Sequence, residues 1–144
     1  MTADHTWFYW AILSAVFAAL TAIFAKIGIQ GVDSDLATLI RTVVILVVLS
    51  GFVWYAQKWS NPLRLSGKTW AFLVLSGLAT GASWVCYFRA LKIGDASKVA
   101  PVDKLSVILV AIFATAFLGD RPSLREWFGI ALVAGGIVIL GLKR

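Results

Sequence analysis

The sequence predicts an all-α integral membrane protein, a bundle of five transmembrane helices. Three observations lead there. Hydrophobic residues make up 60% of the 144 and charged ones 14%, with a mean hydropathy of +0.90, more apolar surface than a soluble domain can hide. The apolar residues fall into five runs of the length that crosses a hydrocarbon core, about 17 to 25 residues at a 1.5 Å rise. Six of the seven tryptophans lie where alternate runs would meet one face of a bilayer.

The runs are 7–29, 36–55, 69–91, 97–118 and 124–142. Backbone N–H and C=O groups find no water in lipid, so helix is the state available to each run. The connections QGVDSD, QKWSNPLRLSGK, KIGDA and GDRPS carry turn chemistry. All but the second are tight, which makes successive helices antiparallel. The opening MTADHTWFYW has no basic n-region, so the first run is read as a retained helix rather than a signal peptide.

Five crossings put Trp7, Trp10, Trp54, Trp59, Trp70 and Trp127 at one face, here side a, as an interfacial aromatic belt requires. Trp84 lies toward side b. The bases are evenly divided. Lys58, Arg64, Lys68, Arg121 and Arg125 fall at side a, and Lys26, Lys92, Lys98, Lys143 and Arg144 at side b. A positive-inside bias needs an imbalance. Either the long basic loop between the second and third helices holds side a in the cytoplasm, or copies insert both ways up.

The net charge of +6 would suggest nucleic acid in a soluble protein, but here the bases sit in short loops, where they act as topology signals and lipid-phosphate contacts. No nucleic-acid partner is expected. A lone Cys86 excludes an internal disulfide, and a lone His5 outside the helices excludes a histidine-based metal or catalytic cluster. No Ser-His-Asp set, HExxH, phosphate-cradling glycine loop or paired carboxylates occurs. The sequence therefore predicts neither an enzyme nor a cofactor.

The ionisable residues inside the runs form one layer. Arg41, Asp103, Lys104, Arg89 and Lys26 all count to within roughly 10 Å of the side-b boundary. Intramembrane charges cost about 2.5 to 3.5 kcal/mol on insertion scales and usually face a bundle interior or a wet cavity. Lys26 and Arg89 are near enough to the interface to snorkel, which is the preferred reading over ligand contact. Arg41 either neutralises Asp103 structurally or meets a substrate. Asp103 and Lys104, consecutive on a helix, point about 100° apart and should not face one spot. Pro101 removes a backbone donor and frees the Ser97 carbonyl, a structural kink. Ser83, Trp84 and Tyr87 share a helical face that could stack on an organic cation or aromatic solute, or be an interfacial anchor or packed core. In the last run Ala131 and Gly135 make a small-xxx-small pair that Gly136 widens, for helix packing or a dimer contact.

The segment YFRALKIGDASKVAPVDKLSVILVAIFATAFLGDRPSLREWFGIALVAGGIVIL resembles the second part of an EamA-type repeat of the drug/metabolite transporter superfamily, and WAILSAVFAALTAIFAKIGIQGVDSDLATLIR is similar to its opening. Asp120 stands where that pattern more often has glutamate, and PVDKLS where many relatives are apolar or carry serine. The resemblance implies an EamA-like domain spanning 1–144 in the inner or plasma membrane, half of a ten-helix inverted-repeat transporter, with a second copy supplying the other half as an antiparallel homodimer. It implies membrane lipid and a small-molecule substrate as partners, and export of a small metabolite, amine or amphiphilic drug by alternating access. Asp103 and Lys104 would line the cavity, Arg41 would balance Asp103, and Trp84, Tyr87 and Ser83 would contact the solute. The alternatives are a flippase for a lipid-linked anion and a structural subunit that transports nothing.

Overall fold

The computed structural model describes residues 6–142; His5, Lys143 and Arg144 lie outside them. Among the described residues there are no strands, and five helices are long and apolar enough to cross a membrane. They fall into two compact units, one up to Ile93 and one from Gly94 onward.

The first unit holds α1 (Thr6–Gly28), α2 (Ser34–Tyr55), a 3-10 turn (Pro62–Arg64) and α3 (Gly67–Ile93). α1 ends in a turn in which Gly31 takes φ +77°, a left-handed conformation that glycine adopts without Cβ strain. Asp33 then starts α2: its Oδ1 accepts from the N–H groups of Asp35 at 2.9 Å and Leu36 at 3.2 Å, which would otherwise be orphaned. In the long connector Asn61 caps the 3-10 turn through Leu63 N–H at 3.0 Å. Trp70 Nε1 donates to the Pro62 carbonyl at 3.0 Å and ties the connector to α3. Inside the helices, Thr38 and Thr42 return their hydroxyl protons to carbonyls one turn back at 2.8 Å, so neither needs water.

Packing in this unit is one-ended. α3 packs against both α1 and α2, and the buried residues Ala22, Ile29, Ser34, Thr38, Phe88 and Leu91 all belong to the end where the α1–α2 turn meets the C-terminus of α3. The opposite ends of α1 and α3 stay exposed around their whole circumference, and that of α2 does so except at Val53. A helix that is apolar all round faces lipid or another protein surface.

The second unit departs from a continuous fourth helix. Run 97–118 is α4 (Ala96–Asp103), a break at Lys104 and Leu105, α5 (Ser106–Phe113) and a π-helical turn (Ala114–Leu118). At the break the hydrogen bonds shorten to the i,i+3 pattern: Lys104 N to Pro101 O at 2.9 Å, Leu105 N to Val102 O at 3.0 Å, Val107 N to Lys104 O at 3.0 Å. Pro101 explains the position, since it cannot donate to Ser97 and weakens the ladder just upstream. Gly119, at φ +77°, closes the π turn. Ser123 and Glu126 then form a reciprocal capping box that starts α6 (Leu124–Gly141).

α6 packs against α4 and α5 along Trp127, Ile130, Ala134 and Ile137, the covered stripe at helical spacing. Ala131, Gly135 and Gly136 lie on the uncovered side, and a Cβ at either glycine would meet nothing within 4 Å. The smooth face is therefore not spent on packing within the second unit.

Candidate functional site

The charged end of the first unit is more organised than snorkelling would make it. Arg89 donates from Nε to Asp35 Oδ1 at 3.0 Å and from Nη2 to Oδ2 at 2.6 Å, a bidentate pair between α3 and α2. Lys26 Nζ donates to the Leu91 carbonyl at 2.7 Å, and Lys92 Nζ to the Val32 carbonyl at 2.8 Å. Lys26 and Arg89, expected to snorkel rather than to contact a ligand, also clasp neighbouring elements. The α1–α2 turn and the end of α3 are joined by these three cations. Asp35 was missed in the sequence, although an acid in the first turn of one helix and a base near the end of its antiparallel neighbour are placed to meet.

Asp35→Asn is expected to speed amide hydrogen exchange at Ile29 and Val32 several-fold, with Asp35→Glu close to wild type. Unchanged exchange in the asparagine variant would mean that the lysine contacts alone hold the turn.

Arg41 is different. It sits seven residues past Ser34, roughly 10 Å along α2, and takes no part in a described hydrogen bond or ion pair. Its Cζ lies 4.4 Å from the centroid of the Trp84 ring and 5.3 Å from that of Phe88. Trp84 and Phe88 are one turn apart on α3, so together they form a platform under the guanidinium, a contact worth about 0.5 to 2 kcal/mol depending on desolvation. Tyr87 packs edge-on against Phe88 at 6.2 Å. Ser83 is exposed. The Trp84 face that could take an organic cation already holds one belonging to the chain.

Beside this platform a cavity of about 500 Å³ opens between α1 and α2, with Phe24 and Gly28 on one wall, Ile40, Arg41 and Val44 on the other, and Phe88 behind. The size is that of a small-molecule site. Phe24 is 65% exposed and Val44 55%, so its mouth is open sideways between the helices. Every lining side chain but Thr21 and Arg41 is apolar.

In the second unit the expectation that Asp103 and Lys104 face apart is corrected. Lys104 Nζ lies 3.0 Å from Asp103 Oδ2. The α-helix ends at Asp103, and the tightened turn with a long lysine stem lets adjacent residues meet. Among the described residues no group of three or more histidine, cysteine or carboxylate side chains could hold a metal.

A family model described as the EamA-like transporter family matches residues 5–142. The chain belongs to that family. An uncharacterized transporter in the cobO 3′ region of a Sinorhizobium species is 56% identical over 139 residues, 96% of this chain and 99% of the relative. The uncharacterized Bacillus subtilis transporter YxxF is 25% identical over 136 residues, 94% of this chain but 42% of the relative. A probable 4-amino-4-deoxy-L-arabinose-phosphoundecaprenol flippase subunit, ArnE of Yersinia pestis, is 28% identical over 86 residues, 59% of this chain and 75% of the relative. No solved structure matches. With its five apolar helices, this EamA-like chain is a multi-pass membrane protein of a transporter family, and its relatives' names point away from an enzyme.

Proposed function

We propose that this chain is a small secondary transporter of the inner or plasma membrane that exports an amphiphilic metabolite, amine or drug by alternating access as an antiparallel homodimer, each copy forming one EamA-like domain. The observation that carries this reading is the open apolar cavity of the first unit with Arg41 in its wall. An intramembrane cation beside a cavity marks a solute path more often than a packing accident. The interrupted fourth span adds to it, since broken helices carrying polar groups recur at transporter binding sites. Asp103 and Lys104 would gate or line the path there.

The homodimer is supported by three features. Loop bases are balanced between faces, the side-a halves of α1 to α3 have little internal cover, and the smooth face at Ala131, Gly135 and Gly136 is unused within the second unit. YxxF, of which this chain covers 42%, has the length for a second such repeat. A second reading, flipping of a lipid-linked anion, is favoured by the similarity to ArnE and by the positive charge of Arg41.

Purified protein alone in liposomes is expected to move an amphiphilic dye down its gradient; failure with every dye tested would favour a structural subunit. For orientation, Gln30→Cys and Lys68→Cys, each in a Cys86→Ala background, should both label to about half from outside intact cells, because balanced charges leave insertion undirected. Labelling at one position only would remove the antiparallel dimer.

A further inference from the structure

Resting on the reading of the α1–α2 cavity as a solute path, we infer that its ligand is a single-chain amphiphilic anion, with the tail between α1 and α2 and a carboxylate or phosphate on Arg41. The argument is one of unmet donors. A guanidinium has five N–H groups in one plane and no acceptor capacity. With its Cζ over the Trp84 ring at 4.4 Å and 5.3 Å from the Phe88 centroid, it has aromatic rings rather than acceptors as its neighbours. No described hydrogen bond or ion pair takes up its N–H groups, and Arg41 borders the cavity. A carboxylate or phosphate can accept from such a guanidinium bidentately, which an amine cannot do.

The surrounding charge agrees. At this end of the unit stand Lys26, Arg41, Arg89 and Lys92 against Asp33 and Asp35. Asp35 is engaged by Arg89 and Asp33 by the start of α2. Both local carboxylates are therefore committed, and an incoming cation would meet excess positive charge. An apolar volume of about 500 Å³ suits one tail of drug-like size rather than a paired-chain lipid. The mouth, bounded by the exposed Phe24 and Val44, admits that tail from the side.

The test uses the whole protein in nanodiscs of neutral phosphatidylcholine, with empty discs as the blank. The probes are a dansyl fatty acid, its primary amide and its trimethylammonium analogue, all with one tail. In the wild type the acid should bind on the order of tenfold tighter than the amide, about 1.4 kcal/mol, and the trimethylammonium probe no tighter than the amide. Arg41→Gln should lower the acid to the affinity of the amide without changing the amide. Arg41→Lys, which keeps the charge, should keep part of the preference. Val44→Trp, filling the cavity mouth, should weaken all three. The inference fails if the cationic probe matches the acid in the wild type, a comparison that needs no variant, or if Arg41→Gln leaves the acid-to-amide ratio unchanged. Displacement of the acid by added phosphatidylglycerol would replace the single-chain ligand with a resident lipid and overturn it as well. Selective binding without flux in liposomes would count against the transporter and leave the site standing; flux of a cationic dye without selective binding would count against the site alone.

Discussion

Asp103→Asn is expected to cut flux roughly tenfold or more while leaving insertion close to wild type, because an ionisable residue kept inside a membrane span is there for function more often than for stability. The two members of the pair should respond unequally. In Asp103→Asn the lone Lys104 has a long stem and a side chain already 55% exposed, so it can reach polar surroundings. In Lys104→Gln the lone carboxylate has a short stem and a side chain 35% exposed. The insertion cost of an unpaired charge, about 2.5 to 3.5 kcal/mol at a helix centre and less toward the boundary, falls on a carboxylate that cannot reach out, so this variant should show the lower yield of inserted protein. The double variant Asp103→Asn, Lys104→Gln removes both charges and should recover the yield. Its flux decides the role of the pair. If flux stays low, the pair acts in transport; if it returns to wild type, the two charges only neutralise each other at a helix break, and Asp103 leaves the mechanism.

Phe88→Ala should be the most destabilising single change in the first unit. Phe88 is 2% exposed, backs the cavity and helps carry Arg41. In a soluble core Phe to Ala costs about 3 to 5 kcal/mol, part transfer from water and part cavity. In a bilayer the unfolded reference is still in hydrocarbon, so the transfer part shrinks and lost packing remains. A loss near the lower end, about 3 kcal/mol, is therefore expected in detergent or bilayer unfolding measurements. Phe88→Leu, which refills much of the volume, should lose well under half of that. Equal losses for leucine and alanine would mean that the aromatic contacts with Arg41 and Tyr87, rather than volume, set the effect.

Much of the fold was legible because hydrocarbon permits so few states. Long apolar runs have to be helices, and the outer limits of all five spans lie within two residues of the expected ones. The fourth span shows where that reasoning stops. Pro101 announces a weak point, but whether the chain kinks, tightens or breaks depends on the bonds its neighbours find, and here they close as i,i+3 turns at Lys104 and Leu105. The candidate site was legible as a list rather than as an arrangement. Arg41 and Trp84 were singled out separately, yet their contact depends on how α2 is rotated against α3, which sequence spacing within one helix does not encode. Asp35 was overlooked because an acid in the first turn of a helix reads as a cap-region charge.

The sequence by itself determined the solvent, the number of apolar runs and their approximate limits, and the exclusion of an internal disulfide and of a histidine cluster. All of these follow from composition and run length. Tertiary structure decided which cations are spent and which is left. Arg89 finds Asp35, Lys26 and Lys92 find carbonyls, and Arg41 finds aromatic faces that support it without satisfying its donors. The reason is geometric: a side chain's partner is set by helices far apart in the chain, and only their packing decides whether a buried cation is paired or waits at the wall of a cavity.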